Sequence, residues 1–433
     1  MGIIIENPLV VINKDGRDQV IKANIYIEKD RIVGISEPPK DFKIDKRISG
    51  EQRFLLPGFI NCHTHSYMTI FRNVADDLAF SDWLFHTVMP LEEKMAPEDA
   101  YWGASLAILE MMKSGTTCFS DMQMHIGQTS KAVKDSGMRA MIGRGLVGSG
   151  TDDAGSNKLK EAKIEMEEYK DCTRLTYSFA PHAVYTCDEE YLKIVAKTAK
   201  QENLPIHIHL SESRMEVENA KKEFGCTPIA LCENTGIFEN KTIAAHCVHL
   251  TKEDIEILKR NQVSVVTNPA SNMKLGNGFA PIPELIEAGV NVCLGTDGAA
   301  SNNSLNLFHE LSLLTLIHKG NKELAECISA KEAFAIATRN GAKALGLEKE
   351  IGNIEIGKKA DLILLKLDTP SFMPQNNLIA GLSYSANGSE VETVIIDGKI
   401  TMENRKILTM DEEKIYAKVS EICKRLELDR KEY

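Results

Sequence analysis

Three short stretches of this chain gather residues that could hold a metal ion: "PGFINCHTH" (57–65), "HIHLSE" (207–212) and "LGTDG" (294–298). In the first, His63 and His65 stand one residue apart behind an apolar run. Residues i and i+2 of a strand point to the same face, so both imidazoles look the same way. Such a pair also occurs as an ordinary polar strand end, so the other stretches decide. The second offers His207 and His209, followed by Glu212. Period two cannot choose between the two histidines, but His209 lies nearer the strand end. The third contributes Asp297, an anionic donor. His63, His65, His209 and Asp297 form a nitrogen and oxygen set suited to one divalent ion with a place left for water; zinc and iron(II) both fit it. A glutamate beside such a site, here Glu212, can shuttle protons. His246, in "AAHCVHL", is either a further ligand or an electrostatic partner of the water, and His249 is expected in the loop beyond.

These residues need a scaffold that brings distant strand ends together. Eight segments rich in β-formers alternate with helical patterns: "FLLPGFINCHTH", "GTTCFSDM", "RAMIGRGL", "RLTYSFAPHA", "LPIHIHLSE", "KTIAAHCVHL", "QVSVVTNPAS" and "VNVCLGTDG". Strand–helix alternation implies a parallel sheet, and eight units imply a TIM-like (β/α)8 barrel. An open doubly wound sheet is the alternative, but no G-x-G-x-x-G follows any strand. Barrel sites sit at the C-terminal ends of the strands. Seven of the eleven histidines fall there, His182 after the fourth strand among them. Strand 4 carries no lysine that could bridge a second ion, so one metal is expected.

Both ends of the chain have another texture. Short β segments such as "GIIIE" and "ANIYIEKDRIVGISE" open it, and "GNIEIGKKADLILLKLD" and "EVETVIIDGKITMENRKIL" return near the end. They read as one antiparallel sheet or sandwich shared by both termini. The division is 1–56 and 356–433 for a small β-sandwich and 57–355 for the barrel. A helix over "DEEKIYAKVSEICKRLEL" closes the chain, with acidic residues suiting its N-terminus.

Composition bounds the function class. The chain has 433 residues, 26% of them charged, and a formal net charge of −11. Nucleic acid is therefore not expected as a partner, because phosphate binding needs a basic face. Ten cysteines without a C-x-x-C pair read as thiols in a reducing compartment. The start "MGIIIENPLVV" lacks the basic and long apolar regions of a signal peptide, and no run is long enough to cross a bilayer. A cytoplasmic protein without membrane partners is expected.

Together, "PGFINCHTH", "HIHLSE", "AAHCVHL", "NPASNMKLGNG" and "LGTDGAASNNSLNLFHE" resemble the amidohydrolase superfamily, and within it the 5'-methylthioadenosine/S-adenosylhomocysteine deaminases. The resemblance spans nearly the whole chain. It implies one divalent metal, usually zinc, on His63, His65, His209 and Asp297. It implies that Glu212 carries a proton to the ring nitrogen and that His246 orients the attacking water. Glu92, in "MPLEEK", would grip ribose hydroxyls; Arg144 and His182 would contact substrate, and Trp83, in "SDWLF", would line the mouth. A homo-oligomer is a further expectation. One departure stands out: where members that handle S-adenosylhomocysteine often carry an arginine after a D-D-x-G loop, this chain has Ser156, with Lys158 two residues on. Lysine is a point charge rather than a bidentate fork. The implied activity is hydrolytic deamination of a 6-aminopurine nucleoside (5'-methylthioadenosine, S-adenosylhomocysteine or adenosine). The alternative is a deaminase or chlorohydrolase of a free heterocycle such as guanine or a triazine.

Overall fold

The computed structural model describes residues 2–14, 16–151 and 153–428. Isoleucine- and valine-rich segments open the chain as β1 (Gly2–Glu6), β2 (Leu9–Lys14), β3 (Arg17–Lys22), β4 (Ile25–Glu28), β5 (Arg31–Ile35), β6 (Lys46–Ser49) and β7 (Arg53–Pro57). The barrel follows: β8 (Phe59–Thr64), β9 (Thr116–Gln123), β10 (Arg139–Leu146), β11 (Leu175–Pro181), β12 (Ile206–Leu210), β13 (Thr242–His246), β14 (Ser264–Thr267) and β15 (Asn291–Leu294). Near the end come β16 (Leu362–Lys366), β17 (Val391–Ile396), β18 (Lys399–Glu403) and β19 (Lys406–Ile407).

β8 to β15 form one eight-stranded parallel sheet in sequence order. Every residue of β8 and β9 is buried, as expected of strands covered on both faces. The sheet rolls until its last strand meets its first. The backbone N–H of Asp297 donates to the carbonyl of His63 at 2.9 Å, and Asn61 Nδ2 donates to Thr296 Oγ1 at 2.7 Å. The same closure sets two site residues side by side. The surrounding helices are amphipathic. In Glu189–Glu202, Tyr191, Leu192, Val195, Ala196 and Ala199 make the buried stripe, and the Asp188 side chain caps the start by accepting from the Tyr191 N–H at 2.7 Å.

"FLLPGFINCHTH", read as one strand, serves two sheets. Arg53–Pro57 pairs with β16 and β2, and Phe59–Thr64 begins the barrel. The break lies at Gly58, whose position leaves no room for a side chain: a Cβ there would lie 2.0 Å from Thr117 Oγ1.

The terminal segments do share a sheet, ordered β19-β18-β17-β16-β7-β2-β3. It faces a four-stranded sheet ordered β5-β4-β1-β6. Ile3, Ile5, Ile25 and Ile27 from one sheet pack with Val10, Leu55, Leu362 and Ile395 from the other. The sandwich is mixed rather than antiparallel, since β1 with β6 and β2 with β7 run parallel. Of "GNIEIGKKADLILLKLD" only Leu362–Lys366 is strand. The closing helix, Glu412–Arg425, packs on the barrel helix Pro97–Lys113 instead of on either sheet; Arg425 pairs with Asp99.

Candidate metal and substrate site

At the C-terminal mouth of the barrel the strand ends converge on a cavity of about 290 Å³, at the small end of the range for ligand sites. His63 is the fifth residue of β8 and His65 follows the strand, capping the short helix Ser66–Phe71. Their rings lie 5.0 Å apart. The nitrogen set His63, His209 and His246 and the mixed set His63, His65 and Asp297 each have ligand atoms within 4.8 Å of one another. Oδ1 of Asp297 stands 3.4 Å from Nε2 of His63 and 3.4 Å from Nε2 of His65.

The hydrogen bonds fix which nitrogens are bare. His65 Nδ1–H donates to the Met122 carbonyl at 2.7 Å, and His209 Nδ1–H donates to the His182 carbonyl at 2.8 Å. A neutral imidazole has one N–H, so both Nε2 atoms carry lone pairs. Yet they face each other at 3.2 Å. Nε2 of His63 is buried with no partner. Lone pairs aimed at one point beside a carboxylate oxygen are unfavourable unless a cation lies between them, so the donor set fits a divalent ion. Burial lowers the His63 imidazole to about 4, against the opposing pull of Asp297, and lowers His209 well below the ordinary range. Both are thus neutral, the state a ligand needs. Burial alone would raise the Asp297 carboxyl, but His63 beside it, with His246 and His65, holds it well below the usual carboxylate range.

Period two left His207 and His209 undecided, and the structure separates them by depth. His209 reaches the cavity. His207 sits one layer lower in the barrel, Nε2 2.9 Å from His63 Nδ1 and Nδ1 3.1 Å from Ser120 Oγ. It orients His63 from behind, as partners of metal-ligand histidines do.

Glu212 and His246 stand across from the donor set. Glu212 Oε2 is 3.7 Å from His246 Nε2, and Oε1 accepts from Asn277 Nδ2 at 3.0 Å. Burial, with the charge of Asp297, pushes the Glu212 carboxyl well above the ordinary range, which suits it to hold and pass a proton. His246 Nδ1–H donates to Asn272 Oδ1 at 2.9 Å, which leaves Nε2 bare toward the cavity. His246, Ser211 and Asp297 hold positive φ of 73°, 52° and 62°, a conformation non-glycine residues adopt under constraint. One constraint is Glu216, whose carboxylate accepts from the N–H groups of Ser211 at 3.0 Å and Glu212 at 2.7 Å.

The substrate side is amphipathic. Phe80, Leu84, Met89, Met122 and Tyr185 line an apolar wall. Trp83 lies in it, its indole N–H donating to the Ala300 carbonyl at 3.1 Å. Glu92, Arg144 and His182 face the same cavity. Arg144 is held by Glu161 at 3.3 Å, while its Nε is buried without a partner. His182 Nδ1 lies 3.0 Å from Thr186 Oγ1, and burial lowers this imidazole to about 4. The loop expected around Ser156 is the first turn of a helix, Asp153–Glu168. Lys158, not Ser156, reaches the cavity lining, with Nζ donating to the Val147 carbonyl at 3.0 Å. His249 is outside the site, as expected.

His63, His65, His209, Glu212, His246, Asp297, Trp83, Glu92, Arg144 and His182 therefore meet at one mouth, while Ser156 and His249 stay outside it. Missed were the supports Glu216, Asn272, Asn277, and Asp121, which accepts from the Ser66 N–H at 2.8 Å behind His65; His207, a candidate ligand in the sequence, supports His63 instead. Two of these, Asn272 and Asn277, stand in the quoted "NPASNMKLGNG" stretch; Glu216 and Asp121 had no spacing signal, since they act on N–H groups in the turns just past strand ends.

The profile of the amidohydrolase family matches residues 54–401. The chain is 44% identical over 428 residues to the 5-methylthioadenosine/S-adenosylhomocysteine deaminase of Thermoanaerobacter pseudethanolicus, covering 98% of this chain and 99% of that one. Among solved structures, an adenosine deaminase from Xanthomonas campestris with bound zinc superimposes with a TM-score of 0.93 at 31% identity, covering 98% of both chains. A zinc-complexed atrazine chlorohydrolase from Arthrobacter aurescens gives a TM-score of 0.89 over 97% of this chain and 99% of its own; at 24% identity it speaks for the fold alone.

Proposed function

The chain belongs to the amidohydrolase family, and on that premise we propose that it is a metal-dependent hydrolytic deaminase of 6-aminopurine nucleosides of the 5'-methylthioadenosine and S-adenosylhomocysteine type. The observation that carries this reading is the pairing of two lone-pair Nε2 atoms at 3.2 Å, beside Asp297, with the buried carboxyl of Glu212 across the cavity, 3.7 Å from His246 Nε2. That is a hydrolytic metal site joined to a proton donor. The enzyme takes one divalent metal, zinc, as the Xanthomonas relative does.

His63, His65, His209 and Asp297 would hold the ion. When bound, it supplies the Lewis acidity that makes water a nucleophile near neutral pH. His246 Nε2, bare and turned to the cavity, takes up the proton of the attacking water together with Asp297 Oδ1. Glu212 gives its proton to the ring nitrogen next to the amino-bearing carbon, which prepares that carbon for attack. The tetrahedral carbon then collapses: the amino nitrogen takes the proton that His246 and Asp297 drew from water and leaves as ammonia, while the new hydroxyl passes its proton to Glu212, which restores the acid and leaves a carbonyl. The wall of Trp83, Phe80 and Met122 takes the purine faces, while Glu92 binds ribose hydroxyls and Arg144 and His182 flank the substrate. A free base offers nothing to Glu92, which favours the nucleoside reading over guanine or a triazine.

The cytoplasmic location rests on ten free thiols, and with it we propose a homo-oligomer, checked by light scattering. Among the described residues no helix is long and apolar enough to cross a membrane. The test of function is ammonia release from adenosine, methylthioadenosine, S-adenosylhomocysteine, guanine and cytosine. The nucleosides should be turned over and the free bases not; turnover of guanine alone would replace this reading.

A further inference from the structure

Tyr67 follows the second metal-site histidine by two residues and lines the same cavity, 5% exposed. Its hydroxyl donates to Oε1 of Glu92. No other donor among the described residues reaches that carboxylate, so its second oxygen is left for a ligand. We infer that Tyr67 is a positioning residue for sugar recognition: its hydroxyl clamps one oxygen of Glu92 and aims the other at the ribose hydroxyls. The inference rests on the ribose reading of Glu92 given above.

The clamp is rigid from below. The residue before it, Ser66, is tied to the buried Asp121 through both its N–H at 2.8 Å and its hydroxyl at 2.5 Å. Thr69, on the same short helix, donates to the Gly103 carbonyl at 2.7 Å. Gly103 lets the helix Pro97–Lys113 touch the Tyr67 backbone, since a Cβ there would lie 2.6 Å from the Tyr67 carbonyl oxygen. Glu92, by contrast, ends the helical stretch that runs on from Asp82–Val88, and its own turn, Met89–Glu92, buries no side chain. A long carboxylate side chain on such a turn samples several rotamers when untied, and fixing it beforehand spares substrate the entropy of doing so. Burial pushes the Glu92 carboxyl up to about 7, and the Tyr67 bond opposes that rise, so the clamp also favours the charged acceptor that a diol binds best.

The test compares kcat/KM for adenosine and for its 2'-deoxy and 3'-deoxy analogues in three zinc-loaded enzymes: wild type, Tyr67→Phe and Glu92→Ala. Tyr67→Phe should lose most of the ribose preference, about tenfold, through KM for adenosine with kcat nearly unchanged, and the deoxy analogues should barely respond. Glu92→Ala should lose the same preference. If Glu92→Ala keeps it, the ribose reading of Glu92 falls and the clamp with it. If Glu92→Ala loses it and Tyr67→Phe does not, or lowers kcat on all three substrates alike, Tyr67 is merely structural and the inference is overturned. Should Tyr67→Phe fail to retain metal, Tyr67→4-aminophenylalanine, which keeps the length and an N–H donor, serves instead: it should keep the preference, and a loss there would overturn the inference.

Discussion

Two buried charge clusters lie at opposite ends of the barrel, and they are built on opposite rules. At the sandwich end, Arg139, which starts β10, forks onto Asp361 with bonds of 2.6 and 3.1 Å and reaches Asp397 at 2.9 Å. Asp361 also accepts the backbone N–H of Asp397, and Lys359 closes the group at 3.2 Å from Asp397. Each charge there meets its opposite inside the protein. At the mouth, lone pairs meet lone pairs, and His63 Nε2 makes no hydrogen bond. A cluster that completes itself holds the two β units together; a cluster left incomplete is shaped for something from outside.

The contrast can be broken from either side. Removing the metal with a chelator should abolish turnover and lower the melting temperature, and one equivalent of zinc should restore both. Full activity in metal-free protein would erase the distinction. Next comes Glu212→Gln, which keeps the size and the Asn277 contact but cannot carry the proton. It should lower kcat by about 10²–10⁴ with metal content and melting temperature unchanged. Arg139→Met tests the other cluster. It strands the Asp361 carboxylate in the interior, while Asp397 keeps Lys359, and should cost about 3–5 kcal/mol of stability, read by urea unfolding, while kcat of the folded fraction stays put.

The smallest effect is a pH dependence. Burial would raise the Asp397 carboxyl, but Arg139 and Lys359 hold it below the ordinary carboxylate value. A depressed folded value means stability that is present above the unfolded value of about 3.9 and lost as pH falls through the folded one. Wild type should therefore lose melting temperature below about pH 4 more steeply than Arg139→Met, which has already lost the pairing. Parallel curves would show that the pair contributes nothing.

The mouth was legible in the sequence because its parts obey periodic rules. His63 and His65 advertise one face, and β-rich segments recurring between helices require strand ends to converge. Chemistry-bearing residues at the ends of strands 1, 4, 5, 6 and 8 then had to meet. The self-completing cluster was not legible. Arg139, Asp361 and Asp397 are far apart in the chain, on segments whose pairing no local pattern dictates. The same holds for His207 and Tyr67. His207 shares its face with His209, and only barrel depth separates orienter from ligand; Tyr67 looks like one more apolar residue until the fold brings Glu92 to its hydroxyl. The split at Gly58 is marked in the sequence only by Pro57–Gly58, a turn dipeptide that the apolar residues on either side mask.

The claim at the centre is that this mouth replaces an amino group on a purine nucleoside by oxygen from water. Zinc-loaded enzyme turning over methylthioadenosine in heavy-oxygen water tests it by mass spectrometry of the product. The account predicts ammonia equimolar with nucleoside consumed, one labelled oxygen on the purine ring and the bond to ribose intact. An unlabelled ring, a cleaved glycosidic bond or no consumption of the nucleoside would contradict it.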